Sequence, residues 1–286
     1  MDKNVELIEA GPRDGLQNEP DHIATSDKIK LTNLLSEAGF KTIEVTSFVS
    51  PRWVPQLQDA AEVMQNITRQ PDINYLVLTP NMKGFEAAQA ADAHEIAIFA
   101  AASEGFSQKN INCTIAESLE RFTPVIAAAK AAEIPIRGYI SCVVGCPYEG
   151  EVKPETVLDI AQWMLTNGCY EVSLGDTIGC GTQDSISTLL DRLTAEISPQ
   201  RLAGHYHDTN GCAVQNIFTS LDYGLRRFDS AIAGLGGCPY APGAKGNVST
   251  NTLHQALTTA GWNTGLDTHK LKEAAALTAN IGLKNR

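Results

Sequence analysis

Short apolar runs alternate with longer amphipathic stretches along almost the whole chain. The runs at 5–10, 42–47, 74–79, 95–101, 136–144, 170–176, 202–208 and 228–234 are apolar on consecutive positions rather than on every second one, and read as strands. A strand that is apolar on both faces belongs in a sheet covered on both sides, which favours parallel pairing. Between the runs lie helical patterns, among them 26–39, 116–133 and 154–168. The first is expected to start from a Ser26 cap. The third carries Pro154 at its start and Gly168 at its end, where helices favour those residues. Pro124 inside the second is placed to kink it. A last helical pattern, 268–283, predicts an extra C-terminal helix.

Eight strand–helix repeats in a row predict an α/β fold, a (β/α)8 barrel, with residues 1–286 forming one catalytic domain. The alternative, a doubly wound open sheet, would carry a GxGxxG turn after its first strand, and none is present. No linker or low-complexity run interrupts the pattern. A barrel gives sequence position a meaning, because the C-terminal ends of its strands converge on one face. Arg13 and Asp14 follow the first strand and Glu44 lies on the second. Asp176 ends the sixth, His205 and His207 end the seventh, and Cys238 and Asn247 follow the eighth. Several separate elements thus aim polar groups at one place.

Composition narrows the partners. The net charge of −11 argues against nucleic acid or an anionic membrane surface. A phosphate-bearing substrate would need local cations, for which Arg13, Arg52, Lys83, Lys109 and Lys245 are available. Cysteines at 113, 142, 146, 169, 180, 212 and 238 are odd in number and form no CxxC pair. That favours a reducing, cytoplasmic setting over a disulfide framework or a zinc–thiolate site. The N-terminal segment has neither the basic head nor the apolar stretch of a signal peptide. No apolar run approaches the ~18 residues of a membrane span.

Two histidines at i and i+2 on a strand point the same way, so His205 and His207 can reach one cation. Alone, the pair reads equally well as hydrogen-bonded core histidines. Asp14 and Asn247 on converging elements turn the balance toward a metal site. Two imidazoles, a carboxylate and an amide oxygen, with no thiolate, suit Mg2+ or Mn2+ better than structural zinc. Arg13 beside Asp14 and Gly15 would by itself read as a surface turn. At a strand end, it offers a planar fork to an oxyanion. Glu44 and Asp176 are expected in the site or directly behind it. Cys238 sits between Gly237 and Pro239, a poor place for a packing residue, and is a candidate proton donor. The other six cysteines read as small buried hydrophobes.

The stretches 11-GPRDGLQNE-19, 44-EVTSFVSPRWVPQ-56, 109-KNINCTIAES-118, 141-SCVVGCPYEG-150, 171-EVSLGDTIG-179, 205-HYHDTNG-211 and 234-GLGGCPYAPGAKGN-247 resemble the 3-hydroxy-3-methylglutaryl-CoA lyase family almost end to end. The cysteine-bearing Gly-rich loop separates that family from the 2-oxo-acid condensing synthases of the same barrel superfamily. The resemblance implies cleavage of (S)-3-hydroxy-3-methylglutaryl-CoA to acetyl-CoA and acetoacetate. It makes Asp14, His205, His207 and Asn247 the ligands of Mg2+ or Mn2+, with Asp14 or His205 as base. Arg13 becomes the substrate-binding and enolate-stabilising residue, Cys238 the catalytic thiol, and Glu44 and Asp176 further acidic residues of the site, Glu44 on the substrate side. A homodimer and a role in leucine breakdown and ketone-body formation are also implied. Pro20 stands where many relatives carry Lys, and Lys245 where a small residue is common, so the CoA end is where this chain departs from the pattern. A condensing transferase, which would not need Cys238, and a non-catalytic barrel are the competing readings.

Overall fold

A computed structural model of the chain describes residues 3–236 and 246–281. Its strands are β1 (Glu6–Glu9), β2 (Thr42–Ser47), β3 (Asn74–Leu78), β4 (Glu95–Ala101), β5 (Ile136–Ser141), β6 (Gly145–Cys146), β7 (Gly150–Glu151), β8 (Glu171–Asp176), β9 (Leu202–Tyr206) and β10 (Arg227–Ser230). Its α-helices are α1 (Thr25–Ser36), α2 (Ala60–Asn66), α3 (Met82–Ala90), α4 (Glu104–Ile111), α5 (Ile115–Ala131), α6 (Pro154–Asn167), α7 (Gln183–Thr194), α8 (Ala213–Asp222), α9 (Thr250–Thr259) and α10 (Thr268–Asn280). Eight strands close into one barrel in the order β1-β10-β9-β8-β5-β4-β3-β2, every pair parallel. The pair β6–β7 is a small antiparallel hairpin outside it. This is the (β/α)8 barrel that the repeat count predicts, with α10 as the extra C-terminal helix.

The strands sit where the apolar runs lie, and the reason is visible in their burial. Every residue of β2, β8 and β9 is buried, as expected of strands packed on both faces. The differences lie at the ends. The run 136–144 stops pairing at Ser141, because Cys142 turns to a φ of 61° and gives its N–H to Thr177 Oγ1 (2.8 Å). The run 228–234 ends at Ser230 and gives way to a short 3-10 turn, Ile232–Gly234. Helix α1 begins two residues earlier than a Ser26 cap would set. Its N-cap position is Ala24, and the Thr25 hydroxyl and Lys28 ammonium both bind Asp59 ahead of α2. Helix α5 runs unbroken through Pro124. Helix α6 starts at Pro154 and stops at Gly168, whose φ of 115° suits glycine alone.

The main core lies between the strands and the surrounding helices. The barrel interior holds a separate apolar patch of Leu76, Leu78, Ala97 and Tyr139 with Phe99 against it. Beside it runs a ladder of alternating charge. Glu6 pairs with Arg227 (2.9 Å), Arg227 with Glu171 (2.9 Å), Glu171 with Arg137 (2.8 Å) and Arg137 with Asp229 (2.8 Å). The barrel is sealed between its first and last strands, where Glu6, Leu7, Ile8 and Glu9 pair with Arg227, Phe228, Asp229 and Ser230. Among the described residues, no helix is long and apolar enough to cross a membrane.

Candidate active site

Strand β1 runs into a π-helical turn, Gly11–Gly15, that carries Arg13 and Asp14. The N–H groups of Arg13, Asp14 and Gly15 all point at the Ala10 carbonyl, at 3.2, 2.8 and 3.3 Å. Two glycines permit so tight a turn. A Cβ on Gly11 would lie 2.6 Å from Glu9 Oε1, and one on Gly15 would lie 2.7 Å from Leu235 Cβ. Glu9 fastens the turn to the far side of the seam. Its Oε1 accepts from Gly11 N (2.8 Å) and Ile232 N (2.7 Å), and its Oε2 accepts from Thr250 Oγ1 (2.8 Å). Complete burial pushes the Glu9 carboxyl up to about 7, against the pull of these donors.

Arg13 is held as a fork between two carboxylates. Nη1 donates to Asp14 Oδ1 (2.5 Å) and Nη2 to Glu44 Oε2 (2.7 Å). Glu44 is fully buried on β2. It therefore stands behind Arg13, and fixes the guanidinium rather than opening onto the cavity. Burial raises the Glu44 carboxyl, and Arg13 opposes that rise. Tyr139 lies under the guanidinium, 5.8 Å from its ring centre.

His205 ends near Asp14 and Asp229. Its Nδ1 is 3.0 Å from Asp229 Oδ2, and its Nε2 is 3.9 Å from Asp14 Oδ2. His207 follows just past the end of β9, its ring 5.5 Å from that of His205, and its backbone bridges to Asn247. The Asn247 amide nitrogen donates to Asp14 Oδ2 (2.7 Å) and to the Leu235 carbonyl (3.3 Å). The electrostatics sort the three titratable members. Burial works against charge on Asp14, but Arg13, His205, His207 and the Asn247 amide outweigh it and hold the carboxyl well below the usual range. Burial and the neighbouring His205 push His207 down to about 4, so it is a neutral ligand-ready imidazole near neutral pH. Burial would also lower His205, but Asp229 and Asp14 outweigh it and raise that imidazole.

One ligand atom each from Asp14, His205 and His207 lie within 4.8 Å of one another. An octahedral cation with bonds of ~2.1 Å places its donors roughly 3 to 4 Å apart. The cluster therefore has the size and chemistry for a divalent ion, and Asn247 stands against it. The three residues face a cavity of about 690 Å³, which Arg13 also lines. Leu78, Phe99 and Tyr139 form an apolar part of its wall, and the exposed Lys109, Arg121 and Trp53 lie toward solvent. Of the other cations that the sequence offers a phosphate, Arg52 and Lys83 are not among the lining residues.

Asp176 is in a different setting. It is 1% exposed, and its carboxylate accepts from the backbone N–H groups of Cys180 (3.1 Å) and Gly181 (2.8 Å). It closes the loop after β8, from which Thr177 reaches the cavity. Cys238 and Lys245 lie outside the described residues. The expectation that the remaining six cysteines are buried needs correction. Cys113, Cys142, Cys146 and Cys169 are buried, Cys212 is partly so, and Cys180 is exposed. Cys180 follows the Gly179 turn at a loop end rather than a strand, which is why a packing role fails there. Burial of the sulfur and the nearby Asp176 still push its thiol up to about 11.

Sequence reasoning passed over Glu9, Arg137, Tyr139 and Asp229. A signal was present. Arg137 and Tyr139 stand at i and i+2 of one apolar strand, and Arg227 and Asp229 of another. Charges of one parity in such strands point to a polar barrel interior.

Comparison with known proteins agrees with this geometry. The model of the family described as HMGL-like matches residues 4–278. A Pseudomonas aeruginosa protein named 3-hydroxy-3-isohexenylglutaryl-CoA/hydroxy-methylglutaryl-CoA lyase is 52% identical over 286 residues, 100% of this chain and 95% of that one. The mitochondrial hydroxymethylglutaryl-CoA lyase of Bos taurus is 53% identical over 274 residues, 96% of this chain and 84% of its own. The crystal structure of the HMG-CoA lyase from Brucella melitensis superposes with a TM-score of 0.96 at 55% identity, covering 98% of this chain and 99% of that one. Barrel, cluster and relatives agree over nearly the full length: the chain belongs to the HMGL-like family.

Proposed function

We propose that the protein is a carbon–carbon lyase that cleaves (S)-3-hydroxy-3-methylglutaryl-CoA into acetyl-CoA and acetoacetate by a retro-Claisen reaction. The observation that carries this reading is Arg13, a guanidinium fixed by Asp14 and Glu44 on the wall of the cavity that also meets Asp14, His205 and His207. Asp14, His205, His207 and Asn247 would hold Mg2+ or Mn2+. When bound, such an ion supplies Lewis-acid polarisation of substrate hydroxyl and carboxylate oxygens.

The remaining chemistry belongs to the chain. A base of the cluster, Asp14 or His205, takes the proton of the C3 hydroxyl. The C2–C3 bond then breaks, its electron pair stays on C2, and C3 becomes the ketone of acetoacetate. Negative charge moves onto the thioester oxygen of the acetyl-CoA enolate, where the Arg13 guanidinium donates hydrogen bonds as charge develops. Cys238 delivers the proton that C2 requires. Asp176 shapes the loop that carries Thr177 to the cavity. Exposed Lys109 and Arg121 offer cations to the phosphates of CoA on a chain whose net charge is −11. The family resemblance extends the reading to a homodimer and leucine breakdown, and the cysteine usage to a cytoplasmic setting.

A coupled assay for acetyl-CoA release tests the reading in wild type and Arg13→Met, each with Mg2+ or Mn2+. Wild type should turn over. Arg13→Met should lose about 3 kcal/mol or more of transition-state stabilisation, mostly in kcat, because the enolate charge exists only after bond cleavage. No acetyl-CoA from wild type, or a variant changed only in KM, would overturn it.

A further inference from the structure

We infer that Asp229 is a positioning residue: it fixes the tautomer and rotation of His205 so that Nε2 presents a lone pair to the cluster, and Arg137 anchors Asp229 in turn. The inference uses the lyase reading only for its activity measurement.

Asp229 Oδ2 lies 3.0 Å from His205 Nδ1. A carboxylate that is ionised can only accept, so Nδ1 carries a proton, and in the neutral imidazole Nε2 is the unprotonated nitrogen. Nε2 is the atom that faces Asp14. Asp229 is itself held from two sides. Oδ2 also accepts from Ser173 Oγ (2.7 Å), and Oδ1 is 2.8 Å from Arg137 Nη1. Arg137 is fully buried, and it reaches three groups. Besides Asp229 it binds Glu171 Oε1 through Nε (2.8 Å) and the Tyr139 hydroxyl through Nη1 (2.8 Å). The Tyr139 ring meets the His205 ring edge-on, with centroids 6.1 Å apart. The imidazole is therefore constrained at its Nδ1 edge by a carboxylate and along its side by an aromatic ring.

A structural purpose alone does not account for these charges. Hydrophobic residues of similar volume commonly fill a core as well as a buried ion pair does. Here the pair lies directly behind His205, and each end of it leads to that ring, one through Asp229 and one through Tyr139. Groups that hold a histidine in one tautomer and one orientation raise the usefulness of its other nitrogen, whether that nitrogen binds a cation or takes a proton.

Asp229→Asn is the test. The amide keeps the shape and one acceptor, which Arg137 would claim. Its NH2 then faces His205 and drives the ring proton to Nε2. Nitrogen NMR on metal-free enzyme with ¹⁵N-labelled histidine, in alkaline buffer, should show His205 protonated at Nδ1 in wild type and at Nε2 in the variant. Mn2+ titration followed by electron paramagnetic resonance should show affinity weakened by ~10- to 100-fold. At saturating Mn2+, turnover should also fall. If the variant does not fold, Ser173→Ala removes one support from Asp229 without disturbing charge. It should leave the proton on Nδ1, because the carboxylate is kept, but loosen the ring and lower Mn2+ affinity by a smaller factor than Asp229→Asn. The inference is overturned if wild-type His205 carries its proton on Nε2, or if a folded variant keeps the wild-type tautomer and Mn2+ affinity. Those two measurements involve no substrate, so they hold or fail separately from the lyase assay.

Discussion

Glu9 is a carboxylate whose donors all come from the chain's own loops: the start of the π-turn, the start of the Ile232–Gly234 turn, and the first residue of α9. In the protonated state Oε2 can donate to Thr250, whose hydroxyl can then donate to Ser230, 2.8 Å away. Neither state leaves a group unpaired, but ionisation places a charge in a fully buried site. The carboxyl rises from 4.5 to about 7 on folding. A group raised in this way contributes stability that is complete below the unfolded value and is lost as pH climbs through the folded value. Over that window the loss is on the order of 3 kcal/mol. Glu9→Gln reproduces the protonated form, with Oε1 accepting from Gly11 and Ile232 and the amide donating to Thr250. Urea unfolding of metal-free protein at about pH 5.5 and about pH 8 checks this. The Gln variant should be the more stable by about 1 kcal/mol at the lower pH and by about 3 kcal/mol at the higher. Parallel behaviour across the window would show that Glu9 does not titrate there.

The π-turn and the loop after β10 act as two jaws, and Gly236 lies where they meet. Its φ is 96°, and a Cβ there would lie 2.9 Å from Asn247 Nδ2, 3.3 Å from Gly15 Cα and 3.4 Å from the Asp14 carbonyl. Gly236→Ala therefore combines backbone strain with a push on both Asn247 and the Asp14 turn. Gly265, with a φ of 71° and nothing within 4 Å of a built Cβ, supplies the control for strain alone. Each Ala variant should lose about 1 kcal/mol or more of stability. Only Gly236→Ala should also weaken Mn2+ binding, and equal Mn2+ affinities in the two would refute the contact. At this scale the sequence was readable where burial is two-sided. Seven of the eight barrel strands lie within their apolar runs and β10 starts one residue before its own, and α6 keeps its Pro154 start and Gly168 stop. The misplaced boundaries include Cys142, where a positive φ ends β5, Ser230, where β10 gives way to the Ile232–Gly234 turn, and Ala24, because Asp59, far along the chain, helps set how α1 begins. The first and last are not encoded locally. Asp14, His205 and His207 were legible because spacing and strand ends announce them. Glu9 was not, and the parity of Arg137 and Asp229 signals only a polar interior, since a charge inside a strand acquires its partner only when the barrel closes and sets it against other charges. Glu44 was placed in the site but not behind Arg13, a relation that only the pairing of the π-turn with β2 reveals.

For the molecule as a whole, the cluster joins parts of the chain that are remote in sequence, so a cation bound there should bear on global stability. An ion that binds the folded state alone adds about 2.7 kcal/mol at 100 times its dissociation constant. Saturating Mn2+ should therefore raise the unfolding temperature by a few degrees, and a chelator should remove both that gain and the activity. Full activity after exhaustive chelation, or an unfolding temperature indifferent to Mn2+, would exclude a metal centre at Asp14, His205 and His207. The seam between β1 and β10 has a further consequence during synthesis. Glu6 and Arg227, which pair across it, are 221 positions apart. At roughly 5 to 20 residues per second, β1 waits on the order of 10 to 45 s at the ribosome for the strand that seals it. Asp14 emerges early, while His205, His207 and Asn247 emerge late. A prematurely terminated chain has neither a closed sheet nor a complete set of ligands. It meets the chaperones and proteases of the cell as an unpaired strand edge, so quality control can tell it from the finished enzyme by that edge, without any test of catalysis.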